Sequence, residues 1–119
     1  MIRKWKPLFF ENSYLPVFLS FFAPIDIGAI TLGPFVFSRN EMSDVTKNHE
    51  TIHWQQYIET GIIGFWLLYV LYWLIGLIKY RDGKLAYYNI PFEQEAYQNH
   101  EDMEYCVTRQ RYAWMRISV

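Results

Sequence analysis

The chain has 119 residues, 52% of them hydrophobic and 20% aromatic, and its eleven basic and twelve acidic side chains give a formal net charge of -1. That length supports one domain over residues 1–119 with a modest core, and so apolar a composition excludes a disordered or low-complexity chain. Basic and acidic residues balance in both halves, five against six in 1–60 and six against six in 61–119, so there is no basic field for nucleic acid and no such partner is expected.

Residues 1–24 read as an N-terminal arm. It starts with Arg3, Lys4 and Lys6, but its apolar part begins late, is broken by prolines and has no convincing small-residue cleavage site, so it is not read as a signal peptide. Ile25–Leu32 and Phe35–Arg39 are expected strands, because β-branched and aromatic residues dominate between turn formers. Met42–Thr60 suits a helix capped by Ser43 or Asp44, with Val45, His49, Ile52, His53 and Gln56 at helical spacing.

The next eighteen residues, Gly61–Ile78, carry no charge, and Lys79, Arg81 and Lys84 follow them. As a helix they would extend about 27 Å, close to the ~30 Å of a hydrocarbon core. Arg81-Asp82-Gly83 is an expected turn, and Asn89-Ile90-Pro91 an expected helix start, with that helix running to about Met115 and carrying Glu93 and Glu95 in its first turn. Arg109, Arg111 and Arg116 near its end suit the helix dipole and need no partner. Trp5, Trp54, Trp66, Trp73 and Trp114 read as packing groups or interfacial anchors. The single cysteine, Cys106, reads as a buried thiol; it cannot form an internal disulfide, which is compatible with a reducing compartment and a cytoplasmic location.

The chemistry is concentrated in His49-Glu50-Thr51-Ile52-His53, an H-E-x-x-H. On a helix, positions i and i+4 stand one above the other, so two imidazoles can reach one zinc ion at about 2.0–2.1 Å. Zinc lowers the pKa of a bound water toward neutrality, and Glu50 would take its proton as it attacks a carbonyl. A chain of this composition holds the pattern by accident roughly 0.003 times. The plainer alternative is a polar helix face that carries two histidines and a glutamate. A catalytic zinc also needs a third protein ligand and an open position. His100 is the only other histidine, so the segment Phe92-Glu93-Gln94-Glu95-Ala96-Tyr97 is the expected source of a carboxylate.

Together, His49–His53 and Glu93-Gln94-Glu95-Ala96 resemble the gluzincin branch of zinc metallopeptidases, whose third ligand opens an E-x-x-A pattern; the resemblance spans roughly residues 29–100 and is close to a group of short bacterial and phage metallopeptidases. It implies a mostly helical α+β, zincin-like core, with a short β-hairpin or edge strand packed on the H-E-x-x-H helix and the third-ligand helix. It implies one Zn²⁺ held by His49, His53 and Glu93, with Glu95 as the rival third ligand, and Glu50 as general base. The substrate would be a peptide or protein that pairs in extended form with the Ile30–Ser38 strand. Tyr97 stands where many gluzincins carry an acid that orients a ligand histidine, and no substrate-pocket signature is evident. Tyr97 and His100 fall at i+4 and i+7 from Glu93 and are candidate stabilisers of the oxyanion; the plainer reading makes them a packed tyrosine and a solvent-facing histidine. Gln55 and Gln56 serve either a second layer around the metal or the helix surface.

The two motifs constrain the apolar tract between them. A single membrane crossing at 61–78 would put His53 and Glu93 on opposite sides, whereas a shared metal requires zero or two crossings. The larger membrane-embedded CAAX prenyl and heat-shock proteases, which the motifs also resemble, place a pair of helices there. The tract is therefore expected to be a buried helix, a homo-oligomer contact or a peripheral membrane contact. The rival to the enzyme reading is a non-enzymatic membrane-associated or oligomeric protein with a vestigial or structural metal site.

Overall fold

The computed structural model describes residues 7–21 and 27–117. Trp5, the basic start Arg3, Lys4 and Lys6, and the Ile25–Asp26 end of the first expected strand lie outside the described residues. The elements in chain order are β1 (Leu8–Phe10), α1 (Leu15–Ser20), β2 (Ala29–Leu32), β3 (Phe35–Ser38), α2 (Asp44–Thr60), α3 (Ile62–Tyr80), α4 (Gly83–Tyr88), α5 (Pro91–Asn99) and α6 (Tyr105–Thr108), followed by a 3₁₀ turn at Ala113–Arg116. The fold class is the mostly helical α+β arrangement expected from sequence.

The strand order is β1-β3-β2. β2 and β3 form an antiparallel hairpin with Ala29 opposite Ser38, while β1 adds in parallel with Leu8 opposite Phe35. Thus the segment read as an arm contributes a strand. The hairpin turns at Gly33, whose φ of 62° lies in the left-handed region that glycine enters without a Cβ clash. β2 occupies one edge of the sheet and packs on α2.

Ser43 caps α2, its side chain accepting the Thr46 N–H at 3.1 Å. The apolar run becomes α3, which begins one residue later than the charge-free stretch and ends two residues beyond it. Of its 19 residues only Phe65 and Gly76 are buried, and it is the one described helix long and apolar enough to cross a membrane. The expected turn follows: Asp82 accepts the N–H groups of Lys84 and Leu85 at 2.8 and 3.0 Å and so starts α4 at once. α4 packs against α3 where Gly76 meets Ala86; a Cβ at Gly76 would lie 3.0 Å from the Ala86 Cα.

Pro91 opens α5, as expected, since its missing N–H is no loss in a first turn. That helix stops at Asn99, short of Met115. Asn48 of α2 donates its side-chain amide to the carbonyls of His100 and Asp102, at 2.8 and 2.9 Å, holding the chain in a turn where a continuing helix would need those groups. Arg109 closes the short α6 and is not left without a partner at the end of a long helix. It is buried, paired with Glu59 at 2.6 Å and with Glu95 at 2.5 Å, and burial of these carboxylates demands such a cation. The core is an aromatic column: Tyr57 stacks on Phe65 at 4.0 Å, Phe65 on Phe92 at 4.5 Å, and Phe92 meets Trp114 at 4.7 Å. It clamps α2, α3, α5 and the 3₁₀ turn together beside the histidines.

Candidate metal centre

Helical periodicity puts His49, Glu50 and His53 on the inner side of α2, where all three are buried. Their ligand atoms lie within 4.8 Å of one another, a group able to hold a metal ion. α5 brings Glu93 to the same point: its Oε1 is 3.3 Å from His49 Nε2 and 3.1 Å from His53 Nε2. Two imidazole nitrogens and a carboxylate oxygen therefore converge from two helices, at separations that ~2 Å metal–ligand bonds can bridge.

The electrostatics fit a cation there. Burial opposes the charged form of His53, but the facing Glu93 carboxylate outweighs it and raises its pKa to about 9. Burial likewise opposes ionised Glu93, yet the two imidazoles hold its carboxyl well below the usual range. A buried carboxylate between two nitrogens needs positive charge beside it, which either a proton or a metal supplies.

Each of these groups is oriented from behind. Tyr69 of α3 donates its hydroxyl to Glu93 Oε2 at 2.7 Å; burial and the adjacent Glu93 push this phenol well up, so it stays a donor. Gln56 places its carbonyl oxygen 2.8 Å from His53 Nδ1. Its amide cannot turn over, because its nitrogen already donates to the Phe92 carbonyl at 3.0 Å and to Glu95 at 2.9 Å. Gln56 thereby fixes the proton of His53 on Nδ1 and leaves Nε2 to face Glu93. Glu95 belongs to this outer layer: Gln56, Tyr105 and Arg109 occupy its oxygens, and it is not among the groups that meet the histidines. On the strand side, Thr31 donates to Glu50 Oε2 at 2.8 Å, and Tyr57 donates to the Thr31 carbonyl at 2.7 Å. The edge strand and Glu50 are thus held to one another.

The remaining candidates sit around His49. The Tyr97 ring stands edge-on to it at 4.6 Å, with its hydroxyl 3.3 Å from that of Tyr87. Burial pushes the Tyr97 phenol up to about 12 and that of Tyr87 higher still, so both remain protonated near neutrality. His100 Nδ1 lies 2.9 Å from His49 Nδ1, on the ring nitrogen not turned to Glu93, and burial together with His49 lowers the His100 pKa. Gln55, the other glutamine left open by the sequence, donates to the Cys106 carbonyl at 2.8 Å.

A cleft of about 960 Å³ opens over the site, lined by Ala29–Thr31 of β2, the two histidines, Glu50, Glu93 and a wall of Trp66, Tyr69, Trp73 and Tyr87. Thr31, Tyr69 and Tyr87 are absent from the sequence-based reading. Tyr69 left a signal: a phenol inside a charge-free apolar helix needs a hydrogen-bond partner when buried. Thr31 and Tyr87 left none, because their neighbours are set by tertiary packing. Comparison with known proteins finds no matching family, no similar curated protein and no similar solved structure.

Proposed function

We propose that the chain is a zinc-dependent metallopeptidase. The observation that carries this reading is the convergence of His49 Nε2, His53 Nε2 and Glu93 Oε1, at 3.1–3.3 Å from nitrogen to carboxylate, beside a buried Glu50 at the floor of a cleft edged by a strand. His49, His53 and Glu93 would hold the ion, with Glu95 kept from it by Arg109. Zinc bound there supplies Lewis acidity, polarising a carbonyl and making water acidic near neutral pH.

Glu50, held by Thr31, accepts the proton of the attacking water and returns it to the leaving amine. β2 is an edge strand that lines the cleft, so an extended peptide can lie along it through main-chain hydrogen bonds. Tyr97 and Tyr87 retain their protons and line the same cleft, which suits them to donate to the oxyanion as it forms.

The test uses purified protein prepared without chelator. One zinc per chain is expected, lost in His49→Ala. Glu50→Gln keeps the zinc and lowers hydrolysis of a peptide library by about 10²–10⁴-fold. Protein that takes up no metal removes the site altogether. Bound zinc without Glu50-dependent hydrolysis assigns a structural role to the metal instead.

A further inference from the structure

We propose that the outer side of α3 docks in the plane of an anionic lipid bilayer, with the helix lying along the surface and not across it. Every exposed residue between Ile62 and Ile78 is apolar, including Ile63, Leu67 and Ile78 at 77%, 68% and 80% exposure. Leu67, Val70, Leu71, Leu74 and Ile78 follow one another at helical spacing and make one continuous stripe. A stripe this long, left uncovered by the other described residues, marks an interaction surface.

The inner side of the same helix excludes a crossing. It carries Phe65 in the core, Tyr69 bonded to Glu93, and Trp73, whose indole N–H donates to the Gly83 carbonyl at 3.0 Å. Beside it opens the cleft with Glu50, Glu93 and Lys84. Lipid all round α3 would immerse these charged and polar groups in hydrocarbon. Lipid on one side covers the stripe alone, as for an amphipathic helix buried ~5–10 Å at the headgroup boundary.

Charge selects lipid over a second copy of the chain. The stripe ends in exposed Lys79 and Arg81, and the acid that follows, Asp82, is used in capping α4. At the other end stand Thr60 and Gly61, and the nearest carboxylate, Glu59, is taken by Arg109. Among the described residues that flank the stripe, an antiparallel pair would set no unpaired acid against Lys79 and Arg81, and a parallel pair would set cation against cation. Anionic headgroups complement the basic end directly.

The experiment is sedimentation of the full chain with vesicles of phosphatidylcholine, alone or mixed equally with phosphatidylglycerol. Wild type is expected to partition to the mixed vesicles. Lys79→Ala with Arg81→Ala should weaken that binding about thirtyfold, and Leu67→Glu with Leu71→Glu at least about tenfold. All four residues are exposed, so thermal melts should confirm that both variants fold. A wild type that stays in the supernatant, or a Leu67→Glu, Leu71→Glu variant that sediments like wild type, overturns the proposal. So does retention after alkaline extraction, which means a span, and so does a lipid-free dimer broken by the same pair without vesicle binding. Metal-free protein should bind equally, which keeps this result separate from the fate of the peptidase reading.

Discussion

At His53, the nitrogen that faces Gln56 decides what the other nitrogen can do. With Gln56 Oε1 accepting at Nδ1, the lone pair of Nε2 belongs to whatever cation sits beside Glu93. Replacing Gln56 by Leu keeps the bulk and removes that control, so zinc affinity should fall by about 10–100-fold, measured by chelator competition. Cys106 makes the opposite point. Burial raises its thiol to about 11, and its Sγ rests 3.4 Å from the Asn48 side-chain oxygen. At pH 8 it should alkylate about a hundredfold more slowly than an unperturbed thiol, with the rate climbing until the pH passes 11; rapid modification at pH 8 would contradict this. The paired histidines were readable from residue type and spacing, whereas Cys106, read as a buried thiol, is only half-buried. Thr31 was not readable, and Tyr69 showed only as a phenol in want of a partner, because each reaches its carboxylate from an element whose position is a product of the whole fold.

Among the elements, α5 depends most on its neighbours. It carries Glu93, in its first turn, toward the histidines and Glu95, just beyond that turn, toward Arg109, and that division follows from the two residues being about 200° apart on the helix. Sequence alone kept both glutamates as ligand candidates, since Arg109 lies 14 residues from Glu95 and 50 from Glu59. The same distance explains why Arg109 read as a dipole residue. Arg109→Ala strands two buried carboxylates and should cost about 3–5 kcal/mol in urea unfolding. At the α3–α4 contact, Gly76→Val would press a branched side chain on the Ala86 backbone. A loss of about 1–3 kcal/mol is expected there, outweighing the gain in helix propensity that removal of a glycine brings.

For the molecule as a whole, the α+β class and the starts of α2 and α5 were legible, because Ser43 and Pro91 act locally, whereas Asp82 was read as a turn and not as the cap of α4. The parallel strand β1 was not: three residues are too few to show a period, and β3, with which it pairs, lies some 27 residues on. Metal binding acts at this scale too. An ion held only by the folded chain stabilises it by about 2.7 kcal/mol when the free metal is a hundred times its Kd. Dialysis against a chelator should therefore lower the Tm by several degrees, and zinc should restore it in wild type but not in His53→Ala.

His53 and Glu93 stand 40 positions apart, and that separation orders events in time. Two histidines one helical turn apart exist as soon as α2 forms, while the carboxylate arrives only after α3 and α4 have been made and packed. A chain still being synthesised, or one cut between residues 62 and 90, holds half a site. On the proposed metallopeptidase reading, full metal affinity is acquired only at completion of folding, and hydrolysis is withheld from the growing chain until then.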